Sequence, residues 1–365
     1  MPGPRIVAVP RADLERFVDV GRDVERAPEW IPPLRAVELA DLSGGAVPGG
    51  TVEAFACEVG GRWVGRIAAL VEPRLADASG APIGQIGYYA CPDDPAASGA
   101  LFEAALGSLR ARGCREVLGP MDGGVHRRHR LMTRGFERAP FLLEPRNPPW
   151  YPAQFLAAGL RRVAGWRGYD LAREALPPLR DRVAALARRR AGGLDLEFLD
   201  PGDRAGALSR VHRLLDAVWA GHPAWRPISL AELAGTFGAL LPLLPPRHLV
   251  ILKDERGDDV GMGFMYPDWA DEVRALDGDA SGWARWMGRG RAGRAVAHTV
   301  AIRPEVRGRA AGAKVIAAGL EVALEAGYEE LHLALTTQSF RYLDHRLAAT
   351  REYALYGRPL YGRAP

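Results

Sequence analysis

Apolar positions along the chain alternate between a period of two and a period near three and a half, and the same order of elements is traversed twice. In the first half, 6–9 reads as a short strand and 13–22 as a helix. Residues 51–59 and 63–71 alternate on either side of Gly60-Gly61, a hairpin signal. A strand follows at 83–90. A strongly patterned helix then covers 95–113, with Asp94 at its N-cap and Gly113 as its stop. Residues 116–118 run into Gly119-Pro120, 152–159 form a short helix, and 162–171 close the half as a strand.

The second half repeats that order, with a strand at 194–199, helices at 204–220 and 230–240, and a hairpin of 248–253 and 260–266. An irregular insertion over 268–294 comes next. It is followed by a strand at 296–302, a turn, a helix to about Ala326 and a strand at 330–335. A helix over 340–347 and a closing strand at 352–356 end the chain. Residues 172–193 contain Pro177-Pro178 and end in Ala191-Gly192-Gly193, which marks a connector. The reading is therefore a duplicated α/β protein, with domains over 1–171 and 194–365. The duplication rests on element order, not on identity.

Composition narrows the class without naming it. At 365 residues, two cores are the default, and 48% hydrophobic with 25% charged residues is an ordinary globular balance. The start of the chain shows no signal-peptide pattern, and the longest apolar stretch, 237–244, contains Pro242, so no membrane span is expected. Cys57, Cys91 and Cys114 have neither disulfide nor metal-ligand spacing, which points to a reducing cytoplasm and no metal. The formal charge of +4 rests almost wholly on arginine, since Lys253 and Lys314 are the lysines. Acidic and basic residues interleave and no aromatic–basic stripe appears, so nucleic acid is not an expected partner.

The most informative stretch is 296–314. It reads as an apolar strand, a basic turn of small residues and a helix. Backbone N–H groups at a helix N-terminus, with the helix dipole behind them and Arg307 and Arg309 beside them, make an anion site. Gly308 to Lys314 is not a Walker loop: it is one residue short and lacks the Ser or Thr for magnesium. The matching turn of the first half is Cys91-Pro-Asp-Asp-Pro95, where two carboxylates repel a diphosphate and two prolines remove donors.

The run Ile302-Arg-Pro-Glu-Val-Arg-Gly-Arg-Ala-Ala-Gly312 resembles the coenzyme A pyrophosphate motif of the GNAT superfamily of N-acyltransferases. Arg307 takes its first place and Gly312 its last, while Ala310 stands where a glycine is usual. Gly119-Pro-Met121, Arg134-Gly-Phe136, Asn147-Pro-Pro-Trp-Tyr-Pro152, Val260-Gly-Met-Gly-Phe264 and Tyr353-Ala-Leu-Tyr356 resemble a tandem, largely uncharacterised subfamily. The resemblance implies two GNAT-like domains, each a mixed, mostly antiparallel twisted sheet flanked by helices. It also implies a donor site in the second domain, formed by Val300, Ile302, Arg307, Gly308, Arg309, Ala310, Ala311, Gly312 and Ala313. The co-substrate would be an acyl-coenzyme A, acetyl or longer, or an acyl carrier protein. The acceptor would be a primary amine of a small molecule, amino acid or peptide. Thr336-Thr-Gln-Ser339 stands where such proteins carry an acidic–Asn pair on the acceptor side. A fold that has kept its shape and lost the chemistry is the alternative reading.

Direct attack by an amine on a thioester needs a donor to the developing oxyanion and a proton for the leaving thiolate. The resemblance assigns the first to a backbone N–H near Thr299–Ala301, on a bulged strand, and the second to Tyr342. A core packing role for Tyr342 weighs equally. His298, on the face read as carrying Val296, Val300 and Ile302, is the candidate proton acceptor, set against a satisfied core histidine. His126-Arg-Arg-His129 reads as an exposed loop in preference to a metal site. His222 is placed in a loop, lining an acceptor pocket or merely solvated. Asn147–Pro152 is read as a rigid aromatic connection at the interdomain face. The insertion, with Trp269, Trp283, Trp286, Arg285, Arg289, Arg291 and Arg294, is read as a solvated helix, a lid or a docking face for an acidic carrier.

Overall fold

The computed structural model describes residues 3–222, 224–282, 292–337 and 347–361. It divides into two compact units, 1–166 with 270–285 and 351–365, and 167–269 with 286–350. These are not the linear halves expected from sequence. Periodicity specifies that a segment is a strand but not which sheet edge it joins. The closing strand expected in the second half belongs to the first unit, and residues 167–172 at the end of the first half belong to the second.

In the first unit the strand order is β1 (Arg5–Ala8), β2 (Thr51–Val59), β3 (Arg62–Ala76), β4 (Pro82–Ala90), β5 (Glu116–Gly119) and β13 (Arg351–Pro359), with β6 (Leu131–Arg134) also on β13. Its helices are α1 (Leu14–Glu25), α2 (Arg35–Ala40), α3 (Pro95–Ala111), α4 (Tyr151–Ala157) and α8 (Ala270–Ala275). Helix α3 lays Leu101, Phe102, Ala105 and Leu109 on a core that includes Ile67, Ile86, Tyr89 and Phe155. On a second cluster, Leu14, Phe17 and Val18 of α1 meet Ala68, Leu70 and Tyr88. Burial of this apolar surface is the main stabilising term.

In the second unit, β7 (Arg161–Ala172), entering at Arg167, lies beside β12 (Glu330–Thr337). The order continues through β11 (Arg294–Ile302), β10 (Asp259–Pro267), β9 (Leu249–Lys253) and β8 (Asp195–Phe198). Helices α5 (Leu176–Arg190), α6 (Arg204–Trp219), α7 (Leu230–Phe237) and α9 (Ala311–Ala326) complete it. Residues 176–190 are a helix, as the connector reading required, but Leu176, Leu179 and Val183 pack into the same core as Leu320 and Ala323, so this segment belongs to the second unit.

Each unit contains a parallel pair among its described strands. Residues 83–85 of β4 pair with 116–118 of β5, and 294–297 of β11 pair with 330–333 of β12. Beyond those short ladders the two strands of each pair part, which opens a slot. Among the described residues no helix is long and apolar enough to cross a membrane.

Candidate acyl-donor site

The slot of the second unit begins at a bulge. Along β10 and β11, Phe264 pairs with Thr299 and Met265 with Ala297, so His298 is the extra residue. The bulge reverses the side-chain alternation. Before it, Ala295 and Ala297 face the core shared with Leu320 and Ala323; after it, Ile302 packs on Val306, Ala311 and Val315. His298 is left on the opposite face, with ring centroids of Tyr266, Phe264 and Phe237 at 5.8, 6.1 and 6.5 Å. The expectation that His298 shares a face with Val300 and Ile302 is corrected accordingly. Its Nδ1 lies 2.8 Å from Thr299 Oγ1.

Past the bulge the ladder fixes where the backbone points. Arg303 N–H donates to Val260 O at 2.9 Å, and Ile302, Ala301 and Val300 stand opposite Gly261, Met262 and Gly263. Antiparallel alternation then turns the N–H groups of Val300 and Ile302 away from β10, toward the side that β12 has left. The Val300 side chain is 46% exposed. On the departing strand, Leu335 has a left-handed backbone at φ 58°, a conformation that costs a β-carbon-bearing residue free energy.

The turn after β11 is tightly wound. Pro304–Arg309 is a 3₁₀ segment, Ala310 sits at φ 54°, ψ 25°, and α9 starts at Ala311 without a side-chain cap. Its first N–H groups therefore lack the side-chain acceptor that usually satisfies a helix start. Gly308 has open space where a Cβ would go, and a Cβ on Gly312 would meet only Ile302 Cγ1, at 4.0 Å. Arg307 does not stand free beside the turn: its Nε donates to Ile302 O and its Nη2 to Val218 O, both at 3.0 Å. It acts as a strut between turn and sheet. Arg309 bonds Gly192 O, and Lys314 bonds Leu194 O, so that lysine is also committed to the backbone. Ala311 and Ala313, in the first turn of α9, are buried. Arg210, Arg213, Lys253 and Arg303 line a groove of about 530 Å³ together with Asp258 and Asp259, so its charge is mixed.

The first unit keeps the same slot and closes it. Asp94 accepts from the N–H groups of Ala96 at 2.9 Å and Ala97 at 3.2 Å, so α3 has a carboxylate where α9 has none. The register of β3 and β4 shifts between Gly87 and Ala90, and Tyr88 there has φ 49°. The loop after β5 then fills the opening. Met121 N–H donates to Ile86 O at 2.7 Å, Asp122 Oδ1 accepts from Tyr88 N–H at 2.7 Å, and Gly123 N–H reaches Gln85 Oε1 at 3.1 Å. A Cβ on Gly87 would stand 2.6 Å from Met121 O, so only glycine admits the loop this closely. Arg128 holds Asp122 from the other side at 2.9 Å and pairs with Glu25, whose carboxyl is pushed up by burial.

Other sequence expectations land as follows. Tyr342 lies outside the described residues, as do Trp283, Arg285, Trp286, Arg289 and Arg291. Trp269 is buried, and Arg294 pairs with the buried Asp268 at 3.4 Å, so neither belongs to a solvated face. His126 and His129 are 7% and 4% exposed, which overturns the exposed-loop reading; the loop is buried because it plugs the slot. In the aromatic connection, Asn147 Oδ1 accepts from Met132 N–H at 2.7 Å and Trp150 Nε1 donates to Cys91 O at 2.9 Å, both within the first unit. His222 Nδ1 accepts from Ala224 N–H at 3.1 Å, a local turn bond.

Sequence reasoning missed one buried group altogether. His332 Nδ1 lies 2.7 Å from Asp170 Oδ1, and its Nε2 is 3.8 Å from Asp268 Oδ2. A polar residue inside the apolar alternation of 330–335 was the available signal. Asp170, Glu330 and His332 bring ligand-type atoms within 4.8 Å of one another, yet 2.7 Å is a hydrogen-bond spacing.

No family model matches the chain. It is 27% identical over 293 residues to the bacterial ceramide synthase of Caulobacter vibrioides, covering 76% of this chain and 74% of that protein. Its identity to protein YghO of Escherichia coli is 26% over 274 residues, covering 72% and 68%. Among solved structures, a tandem GNAT protein from the clavulanic acid biosynthesis pathway aligns over 99% of both chains, at 15% identity and TM-score 0.54. A probable N-acyltransferase from Enterococcus faecalis aligns over 98% of this chain and 73% of that one, at 11% identity and TM-score 0.55. The chain has the tandem GNAT fold.

Proposed function

We propose, with the tandem GNAT fold as premise, that this protein is an N-acyltransferase whose second unit holds the acyl thioester and whose first unit cannot. The observation that carries this is the difference between the two slots. One has an uncapped helix start and backbone N–H groups turned into the opening. The other has Asp94 on its helix start and Asp122 on its bulge. The diphosphate of a coenzyme A-type donor would lie on the N-terminus of α9, against Gly308–Ala313, with its amide-bearing arm alongside Val300 and Ile302.

The amine lone pair then attacks the thioester carbonyl carbon, a C–N bond forms, and the C–S bond breaks. An N–H of the bulged β11, preorganised in the sheet, donates a hydrogen bond to the developing oxyanion. The ammonium proton leaves through His298 or water, and Tyr342 is the assigned proton source for the thiolate. Phe237, Phe264 and Tyr266 around His298 make that face apolar, which suits an acceptor with hydrocarbon beside its amine. The likeness to a ceramide synthase supports the same choice, because a ceramide is an amide of a fatty acid and a long-chain amino alcohol.

The test is turnover of acyl-coenzyme A, from acetyl to long-chain, with a long-chain amino alcohol and with simple amines, followed as free thiol. Acyl carrier protein donors form a second arm. Thiol release that depends on the amine supports the reading. A non-catalytic binding protein is the second reading, favoured by the β-carbon of Ala310 at the turn; donor binding without amine-dependent thiol release would support it.

A further inference from the structure

The first unit carries a guanidinium that the plugged slot does not use. In the loop from β5 to β6, three arginines follow in close succession. Arg127 is bonded to Asp41 and Gly45 O, and Arg128 to Asp122 and Glu25. No carboxylate pairs with Arg130 among the described residues. Among the described residues its side chain makes no hydrogen bond or ion pair, and its Nε is buried without a partner. Tyr353, beside it, donates to Glu144, and Glu144 is held by Arg351.

Arg130 is nevertheless fixed in place. Its backbone is left-handed at φ 82°, its N–H donates to Pro120 O at 3.2 Å, and its Cζ lies 4.3 Å over the ring of Trp166. Trp166 is 3% exposed and takes the edge of His129 at 6.1 Å. A guanidinium stacked on an indole keeps its planar fork presented edge-on, the geometry that pairs bidentately with an oxyanion. Burial pushes it down to about 9, so it remains cationic at neutral pH. Arg130 is half-buried, so its guanidinium keeps an accessible edge with which an incoming oxyanion can pair.

We propose that Arg130, on the Trp166–His129 platform, is a binding site of the first unit for an oxyanion, a carboxylate or phosphate group of a ligand. The site lies within the first unit, and it stands or falls independently of the acyl-transfer reading.

The test uses the full chain labelled with 5-fluorotryptophan, with the Trp166 resonance assigned through Trp166→Phe. Inorganic phosphate, acetate and chloride are titrated at constant ionic strength. A saturable shift of the Trp166 signal with phosphate or acetate, absent with chloride, is expected. Response to phosphate alone assigns a phosphoryl group, and response to acetate alone a carboxylate. Arg130→Gln should abolish the shift and Arg130→Lys should weaken it at least several-fold. No saturable shift with either oxyanion in the unaltered protein overturns the proposal. So does an equal response to chloride, or an undiminished shift in Arg130→Gln with the other tryptophan signals unmoved.

Discussion

The carboxylate of Asp122 accepts the backbone N–H of Tyr88 at 2.7 Å, at the bulge of the first unit where a donor to an oxyanion would otherwise stand. One side chain thereby satisfies the backbone donor at that bulge. In the second unit β12 pairs with β11 only as far as Ala297, the turn beyond carries Arg307 as a strut, and residues 338–346, which follow β12, lie outside the described residues.

Replacing Asp122 by Ala should therefore be severe for stability. It orphans a buried N–H, a loss of about 1–3 kcal/mol, and removes a counter-charge from the partly exposed Arg128. Urea unfolding measures it. Donor affinity of the protein that remains folded should be unchanged.

Ala310 offers the opposite sign. At φ 54° its β-carbon is strained, so Ala310→Gly should stabilise by up to about 1 kcal/mol once the entropy of glycine is set against the relief. Thermal unfolding reads the first effect. If the β-carbon also narrows the anion approach, the same variant should bind an acyl-coenzyme A more tightly.

The buried pair of His332 and Asp170 should couple strongly. Asp170→Ala and His332→Ala should each destabilise the second unit. Their double variant should lose less than the sum by about 0.5–3 kcal/mol, the usual coupling of residues in one hydrogen-bonded network. Strict additivity in denaturant unfolding would mean the pair carries no mutual energy.

His248 gives a pH signature. Burial holds its imidazole below the ordinary 6.5, with Nδ1 at 3.0 Å from Pro246 O and Nε2 at 2.8 Å from Tyr328 OH. The folded state disfavours the proton, so the stability contribution is complete above the unfolded value and is lost as pH falls below it. His248→Gln should flatten the decline of melting temperature below pH about 6.5.

Most strands and helices of the described residues, and the strand–turn–helix of the second slot, were legible because each rests on local signals: alternation, Asp94 at an N-cap, small residues in a turn. Helix α2 and strand β6 were not read, and the helix expected over 340–347 lies outside the described residues. What was not legible required partners distant in sequence. Nothing in Arg351–Pro359 says that it pairs with β5 and β6. Nothing local in His126–His129 says that the loop is buried; its burial follows from Gly87 and Asp122 on other segments. Arg307 could be read as an anion ligand because its carbonyl partners, Val218 and Ile302, carry no side-chain signal. The alternation through His298 failed at a bulge, which one extra residue creates and periodicity does not reveal.

The central claim is that the second unit binds an acyl donor on the start of α9, and Gly312 is the place to test it. A Cβ there has room, and an acidic residue in the first turn of a helix is favourable to the fold. Calorimetric titration with acetyl- and long-chain acyl-coenzyme A should therefore give saturable binding to the unaltered protein. Gly312→Asp, equally or more stable, should give none, because its carboxylate occupies the anion position. Equal affinity in both proteins would place the donor elsewhere and contradict the account.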